Sequence, residues 1–311
     1  MPSEQNSWTS DLFVPVGHFY SPTVNPEEVS VRWGDICDRR RKTLPGIDLC
    51  EADQLDWLGC IAAFYDDLPF ADQPVDGLRY GYANDQFGFG DAAVLFGMLR
   101  HLRPKRVVEV GSGYSSTVML DTNDRFLDQS IAFTFIDPFP GRLYELSGKK
   151  SLAAHTVIES PVQSVPADVF SVLQPDDILF IDSSHVLKTG SDVAYLLFEV
   201  LPVLADGVIV HVHDIHYPFE YPEQWVIEDN RSWNEVYAIR AFLQYNNEFS
   251  ILYFNSYMAI HHGKEIDRRM PMVYKAPGGS LWLKKRAGGT ASPRHTGLRG
   301  LVSRACRRFG L

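Results

Sequence analysis

The sequence predicts an α/β protein built on a doubly wound, mostly parallel sheet of seven strands. Short apolar segments alternate along the chain with amphipathic ones, as strands and crossover helices do in such sheets. Two of the apolar runs, 106–110 and 177–182, are almost continuous, which is typical of strands buried on both faces. The first run leads directly into a glycine turn that opens a helix. Because ligands bind beyond the carboxyl ends of the strands in this fold class, we expect the functional site there.

The predicted elements follow one another in the order that this fold requires. Strands are predicted where β-branched and aromatic residues concentrate, at 106–110, 131–136, 154–160, 177–182, 207–213, 249–254 and 280–285. Helices are predicted where apolar residues recur every three or four positions, at 48–65, 91–101, 193–201 and 232–246. Asp48 is expected to cap the first of these helices, and Ser191 to open the third.

Length and composition suggest one large domain with additions at both ends. The 311 residues are 45% hydrophobic and 22% charged, which provides a full core. We expect residues 1–103 to form an N-terminal extension whose helices cover the site, and residues 104–286 to form the cofactor-binding domain. From Lys284 onward the chain carries eight Lys and Arg and no acid, so residues 287–311 are predicted to be a solvated, disordered basic tail.

Charge and composition argue against several classes of function. The net charge of −10 disfavours nucleic-acid binding, which needs a concentrated basic face. The sequence has no apolar run of about 18 residues and no signal-like N-terminus, so we expect no membrane association and a cytoplasmic location. The four cysteines are scattered without a CxxC pair, which disfavours a zinc cage or a disulfide framework. The expected partner is a small molecule, and assembly into a homo-oligomer is left open.

The glycine turn, RVVEVGSGYSST at Arg106–Thr117, has the features of a nucleotide-type cofactor site. Gly111 and Gly113 let the backbone turn tightly and approach a ligand. The serines that follow start a helix, so free backbone N–H groups point back toward the turn. A tight turn without a ligand is the alternative interpretation.

The residues around this turn favour S-adenosylmethionine over a dinucleotide. Ser116 stands where a dinucleotide fingerprint has its third glycine. Glu109 precedes the first glycine and suits a ligand with an ammonium group better than one with phosphates. The ExGxGxS pattern resembles motif I of class I methyltransferases. Asp137, at the end of the second strand, is predicted to accept hydrogen bonds from ribose hydroxyls, as it would for either cofactor. The complete predicted cofactor-binding set is Glu109, Gly111, Ser112, Gly113, Ser116, Asp137, Pro138 and Asp182.

A second group of polar residues follows the fourth and fifth strands. Asp182, His213 and Asp214 are expected to lie together there, with His185 and His216 within one turn of them. Carboxylates and imidazoles from neighbouring strand ends are suitable ligands for a divalent metal. An acid/base pair without metal and a purely structural network are the alternatives. His211, two residues before His213, is predicted to be a core histidine.

Four segments in this order resemble a bacterial group of class I S-adenosylmethionine-dependent methyltransferases: EVGSGYSS, FIDP, DILFIDSSHVLKTGSDV and HVHDIHYPFEYPEQW. The resemblance covers about 17–284. More distantly, the chain is similar to macrolide-sugar O-methyltransferases and cephalosporin-hydroxylase-like proteins. The resemblance implies a metal held by Asp182, His213 and Asp214. Since His213 stands where those relatives have Glu, manganese or iron is considered beside magnesium.

The predicted reaction is methyl transfer to the oxygen of a small molecule such as a sugar or another natural product. His185 is the predicted general base, and His18 is a second candidate. The long insertion at 215–233 is expected to form the acceptor pocket, whose apolar walls are Tyr217, Phe219, Tyr221 and Trp225. The aromatic segment at 78–92 either lines the cofactor site or is a plain connection. A nicotinamide dehydrogenase, a hydroxylase-like metal enzyme and a noncatalytic binding protein are the alternative functions.

Overall fold

The structure of the protein is a computed structural model that describes residues 12–75 and 77–286. Within these residues, seven strands form one sheet: β1 (Arg106–Val110), β2 (Ala132–Ile136), β3 (Thr156–Ile158), β4 (Ile178–Ile181), β5 (Ile209–Val212), β6 (Phe249–Phe254) and β7 (Leu281–Lys285). The predicted basic tail at 287–311 lies outside the described residues.

The strands are arranged in the order β3-β2-β1-β4-β5-β7-β6. The five strands from β3 to β5 are parallel, and β7 runs antiparallel to both β5 and β6. Val110 pairs with Ile181, which in turn pairs with Val212, so β1, β4 and β5 end side by side. The residues that follow these three strands therefore emerge at one edge of the sheet. The predicted fold class, a doubly wound and mostly parallel α/β sheet, is confirmed.

Helices cover the sheet, and their α-helical bounds are α1 (Pro26–Ser30), α2 (Trp33–Ile36), α3 (Glu51–Ala62), α4 (Phe89–Leu102), α5 (Tyr114–Phe126), α6 (Gly141–Ser147), α7 (Asp168–Ser171), α8 (Asp192–Tyr195), α9 (Glu235–Leu243), α10 (Asn255–His261), α11 (Gly263–Arg269) and α12 (Pro271–Lys275). Wider, π-helical turns follow at Leu196–Val200 and Gln224–Glu228, and short 3₁₀ turns at Tyr65–Asp67, Val162–Ser164 and Leu201–Val203. In the described part of the chain, no helix has the length and hydropathy needed to cross a membrane.

Helix α4 belongs to the core, although it precedes the predicted domain boundary at residue 103. Its side chains Val94, Leu95 and Phe96 are fully buried, and the helix packs against both α3 and α5. This burial explains why the segment is apolar on nearly all sides rather than along one stripe. The division of the chain at residue 103 stays a prediction.

The predicted helix boundaries differ from the observed ones where local capping decides them. The helix predicted over 48–65 is shorter, since α3 spans Glu51–Ala62. Asp48 accepts the backbone N–H of Cys50 at 2.9 Å, and Cys50 itself is left-handed at φ 50°, so the helix begins after the bend. Ser191 caps α8 as predicted, because its hydroxyl accepts the N–H of Ala194 at 3.2 Å.

The connection between β6 and β7 contains three short helices, α10 to α12, that the sequence pattern does not predict. They are interrupted by irregular residues such as His262 and Met270. No single apolar period extends across them, which is why a search for regular spacing overlooks them.

Candidate active site

The glycine turn after β1 is tied closely to the end of β4. Gly111 has φ +79°, a left-handed conformation that glycine adopts readily. A Cβ atom added there would lie 2.0 Å from the backbone oxygen of Asp182. The site therefore requires glycine at this position for two reasons, the backbone conformation and the close approach of the β4 backbone.

A cavity of about 150 Å³ lies in front of this turn. Its walls come from three neighbouring strand ends and the loop before α4: Gln86, Phe87, Gly111, Ser112, Gly113, Tyr114, Ser115, Asp137, Arg142 and Asp182. The side chains of Gln86 and Arg142 are hydrogen-bonded to each other across it. Part of the segment at 78–92 thus does line the predicted cofactor site.

Both carboxylate oxygens of Asp137 accept hydrogen bonds, and one of them holds the glycine turn. Its Oδ2 accepts the backbone N–H and the hydroxyl of Ser112 at 2.9 and 2.8 Å. Its Oδ1 accepts the N–H of Phe139 at 2.7 Å. Asp137 lines the cavity, whereas the neighbouring Pro138 does not. The role of Asp137 toward a ribose stays a prediction.

Glu109 lies behind the turn rather than on the cavity wall. Its side chain is fully buried and accepts the hydroxyl groups of Ser115 and Ser116, each at 2.5 Å. The Ser116 hydroxyl also accepts the N–H of Gly113 at 3.0 Å, so Glu109 supports the start of α5. Direct contact with a ligand's ammonium group would require one of these serines to move. Burial raises the pKa of Glu109 to about 8, although the serine hydroxyls favour its charged form.

Glu109→Gln should change how stability depends on pH. The folded protein keeps the Glu109 proton up to about pH 8, whereas the ordinary value in an unfolded chain is 4.5. The free energy of unfolding therefore loses a contribution as pH rises through this window, at most about 5 kcal/mol. Glutamine has no such proton, so the variant should gain stability relative to the unchanged protein as pH rises. Urea unfolding at several pH values measures this, with exposed Glu199→Gln as the control. If the free energy of unfolding of Glu109→Gln depended on pH in the same way as that of the unchanged protein, the prediction would be wrong.

The polar residues after β4 and β5 come together around His185. Its Nε2 lies 3.5 Å from Oδ1 of Asp182 and 3.6 Å from Oδ2 of Asp214. Its Nδ1 lies 2.9 Å from Oε2 of Glu235 on α9. His185 and Asp214 both have left-handed backbones, at φ 61° and 55°. Such strained residues outside glycine cluster at functional sites. Asp182 also lines the cavity, which places His185 next to the predicted cofactor site.

Comparisons with known proteins identify the family of this chain. The sequence profile described as a methyltransferase domain matches residues 108–215, a range that includes the turn and the ends of β4 and β5. An uncharacterized protein of Archaeoglobus fulgidus is 35% identical over 167 residues, which cover 53% of this chain and 75% of that protein. The chain belongs to the class I S-adenosylmethionine-dependent methyltransferases. The glycine turn that faces the cavity lies within the range that matches the methyltransferase domain.

Solved methyltransferase structures resemble this methyltransferase at low sequence identity. The SAH-bound methyltransferase PaMTH1 from Podospora anserina is 13% identical and covers 89% of this chain and 100% of its own, with a TM-score of 0.39. The O-methyltransferase TomG from Streptomyces achromogenes, involved in tomaymycin synthesis and solved with SAM, is 14% identical and covers 84% and 96%, with a TM-score of 0.38. At these TM-scores the two similarities carry no functional argument.

The histidines of the methyltransferase site differ in their electrostatic surroundings. Burial would lower the pKa of His185, but hydrogen bonds and charges from Asp182 and Glu235 outweigh it and raise the pKa to about 10. For His213, burial is likewise outweighed by nearby carboxylates, Asp214 first, and the pKa rises to about 9. Burial dominates at His216 and lowers its pKa to about 4. In the free protein, His185 is therefore an imidazolium among three carboxylates.

The predicted metal ligands are neighbours but do not form a closed coordination site. His213 Nε2 lies 3.5 Å from Oδ1 of Asp214, and His216 Nε2 lies 4.0 Å from the same atom. Over residues 12–75 and 77–286, no three His, Cys, Asp or Glu side chains are placed to hold a metal ion. The His185 imidazole, which points toward both Asp182 and Asp214, takes up the space between these carboxylates.

Two other histidines considered in the sequence analysis have different surroundings. His18 makes contacts within its own segment, since its Nδ1 accepts the N–H of Tyr20 and its ring lies 4.4 Å from that of Phe19. His211 is fully buried, stacks on Phe180 at 3.7 Å and contacts the Ser280 hydroxyl at 2.9 Å. The prediction of a core histidine at 211 is confirmed. The catalytic role of His18 stays a prediction.

The predicted aromatic walls of the acceptor pocket lie mostly in the core. Tyr217, Phe219 and Tyr221 are at most 1% exposed, so for these three the prediction of pocket walls is wrong. Tyr217 packs against helix α10 and donates its hydroxyl to the carbonyl of Arg41, because the insertion folds inward and fills the space beside β6. Trp225 is half-buried and lies near the ring of Trp233, with centroids 5.6 Å apart.

Sequence reasoning overlooks several side chains of this site. Glu235 contacts His185 directly, and the ring of Trp233 lies 4.5 Å from the imidazole. Gln86 lines the cavity, and its backbone carbonyl oxygen is 3.3 Å from Nε2 of His213, so this residue joins the cavity to the histidine cluster. An acidic residue in the first turn of a helix is so common that Glu235 has no distinguishing signal. Only the packing of α9 against the loop after β4 shows its role.

Proposed function

We propose that this methyltransferase moves a methyl group to a hydroxyl oxygen of a small molecule, with His185 as the proton acceptor. The observation that carries the proposal is the shared carboxylate Asp182. It lines the cavity before the glycine turn, and its Oδ1 is 3.5 Å from His185 Nε2. A base is thereby held beside the place where the methyl donor would bind, as a direct displacement at oxygen requires.

The residues of the turn and of β2 would hold the methyl donor. S-adenosylmethionine, when bound, supplies a methyl group on a positively charged sulfur. Gly111 and Gly113 leave room for the ligand, and the backbone N–H groups at the start of α5 face it. Asp137 is bound firmly to Ser112 and presents its carboxylate to the same cavity.

The carboxylates around His185 would stabilise the charge that proton transfer creates. His185 takes the hydroxyl proton at Nε2 and becomes an imidazolium between Asp182 and Asp214, while the acceptor oxygen gains the methyl group. The positive charge lost at sulfur thus reappears on a group that two carboxylates face. In the free protein His185 is protonated, so it would first have to release the proton at Nε2 to solvent. A positively charged methyl donor bound beside Asp182 would favour that release by repulsion.

The acceptor is proposed to enter on the side of His185 where Trp233 and Trp225 are half-buried. Tyr217, Phe219 and Tyr221 are at most 1% exposed and therefore do not line this entrance. Incubation with methyl-labelled S-adenosylmethionine and a panel of sugars, phenols and other small hydroxyl compounds tests the proposal. Label that is recovered on a hydroxyl oxygen supports it, whereas label found only on nitrogen or carbon, or left on the donor, opposes it.

We propose that the reaction needs no divalent metal, since the His185 imidazole lies between the two carboxylates that would otherwise share one. Turnover in excess chelator should equal turnover with added magnesium, manganese or iron. The measurement uses protein purified without added metal, and elemental analysis checks the preparation. Activity that chelation abolishes and one of these ions restores would instead assign Asp182, His213 and Asp214 to a metal.

A further inference from the structure

Glu235 is a buried carboxylate that the reaction as described so far does not use. It is the first residue of α9, and its side chain is only 3% exposed. Burying a carboxylate is costly unless it is hydrogen-bonded or paired with a charge. Its partners therefore indicate what it does.

Among the described residues, the side-chain hydrogen bonds of Glu235 are all directed at the loop that carries His185. Its Oε2 is 2.9 Å from His185 Nδ1. Its two oxygens also accept the hydroxyl of Ser183, at 3.0 and 3.1 Å. The same hydroxyl accepts the backbone N–H of His185 at 3.1 Å. Glu235 thus binds both the ring of His185 and the residue that holds its backbone.

Residues at the start of α9 also hydrogen-bond to the backbone of the same loop. The N–H groups of Asn234 and Glu235 both donate to the carbonyl oxygen of His185, at 3.0 and 3.1 Å. The Asn234 side chain accepts the N–H of Leu187 at 2.6 Å and donates to its carbonyl at 3.2 Å. These bonds maintain the left-handed backbone of His185, which would otherwise be unfavourable for a residue with a side chain.

The ring of His185 is therefore fixed on one side and directed toward the site on the other. With Nδ1 held by Glu235, Nε2 is the nitrogen that faces Asp182 and Asp214. Trp233 lies along the ring, with centroids 4.5 Å apart. We propose that Glu235 is the positioning residue of His185: it keeps the proton on Nδ1 and aims Nε2 at the acceptor hydroxyl. This inference rests on the proposed role of His185.

Glu235→Gln tests this with little change in volume. Glutamine offers a single oxygen acceptor, for which the Ser183 hydroxyl competes, so its amide N–H groups would face Nδ1 and favour the wrong tautomer. We expect kcat to fall by roughly 10²- to 10⁴-fold, as when the carboxylate behind a catalytic histidine is neutralised in a serine protease. The KM for S-adenosylmethionine should stay unchanged. Proton NMR should show a far-downfield, exchange-protected imidazole proton that both Glu235→Gln and His185→Gln remove.

Glu220→Gln is the matched control. Glu220 is also a buried carboxylate next to α9, but its Oε1 accepts the Tyr237 hydroxyl at 2.6 Å and is not bonded to His185. Its replacement should leave both kcat and the NMR signal unchanged. If Glu235→Gln does not fold, Glu235→Asp keeps the charge with a shorter reach and should still lower kcat. If a folded Glu235 variant turned over normally while His185→Gln was inactive, this inference alone would be overturned. Full activity of His185→Gln would overturn the proposed function as well.

Discussion

Replacing His185 by glutamine should lower kcat for methyl transfer by about 10²- to 10⁴-fold, which is the usual contribution of a general base. Glutamine fills a similar space but cannot accept the hydroxyl proton. Because Asp182 and the turn remain in place, the affinity for S-adenosylmethionine should stay close to that of the unchanged protein. Single-turnover rates with an acceptor found by the panel, together with calorimetric titration of the donor, separate these two effects.

His101→Gln is the control for this prediction. His101 lies in the last turn of α4, before β1 begins, and therefore at the opposite end of the sheet from His185. Its replacement should leave both turnover and donor binding unchanged. Undiminished turnover by His185→Gln would remove His185 from the mechanism and leave Asp214, one of the carboxylates at this edge, as the candidate base. Loss of donor binding in His185→Gln would instead make its role structural.

Gly111→Ala is expected to disrupt the site most strongly without changing any charge. The new Cβ would stand 2.0 Å from the backbone oxygen of Asp182, so the glycine turn and the end of β4 must separate. Left-handed backbone costs an alanine about 1–2 kcal/mol, and the added overpacking costs typically about 1–3 kcal/mol. We expect the free energy of unfolding to fall by both contributions together, and donor binding to be lost. Urea unfolding and calorimetry measure the two results.

Gly148→Ala distinguishes the contribution of the backbone from that of the clash. Gly148 also has positive φ, +72°, but a Cβ there would meet no atom within 4 Å. This control should show only the conformational cost and should bind S-adenosylmethionine normally. Equal destabilisation by the two substitutions, with donor binding kept in both, would mean that the contact between Gly111 and Asp182 is not important to the site.

The sheet and the glycine turn were predictable because short-range patterns determine them. Parallel strands buried on both faces must be almost continuously apolar, so β1 and β4 are recognisable without any knowledge of their neighbours. The arrangement of glycines and serines at 111–117 can be read in the same way, since each residue acts on its own backbone. The convergence of Asp182, His185 and Asp214 followed from the rule that parallel strands end at one edge.

What the side chains do inside this frame depended on packing between distant segments. The aromatic residues at 217–221 have the composition of a pocket wall, but the chain folds them into the core beside β6, and burial of apolar surface decides between the two outcomes. Packing also decides what surrounds the predicted metal ligands. Their residue types alone suit an ion, but the position of the His185 ring between Asp182 and Asp214 depends on the contact with α9.

By itself, the sequence determined the fold class, the glycine turn after β1 and the edge of the sheet where Asp182, His185 and Asp214 meet. These features result from contacts between residues that are near in the chain or from the general geometry of parallel sheets. Only the tertiary structure decided that Glu109 supports α5 from behind, that Glu235 holds His185, and that Gln86 joins the cavity to His213. Each of these contacts joins residues from separate elements, and their distance and burial depend on the whole packed arrangement rather than on any local pattern.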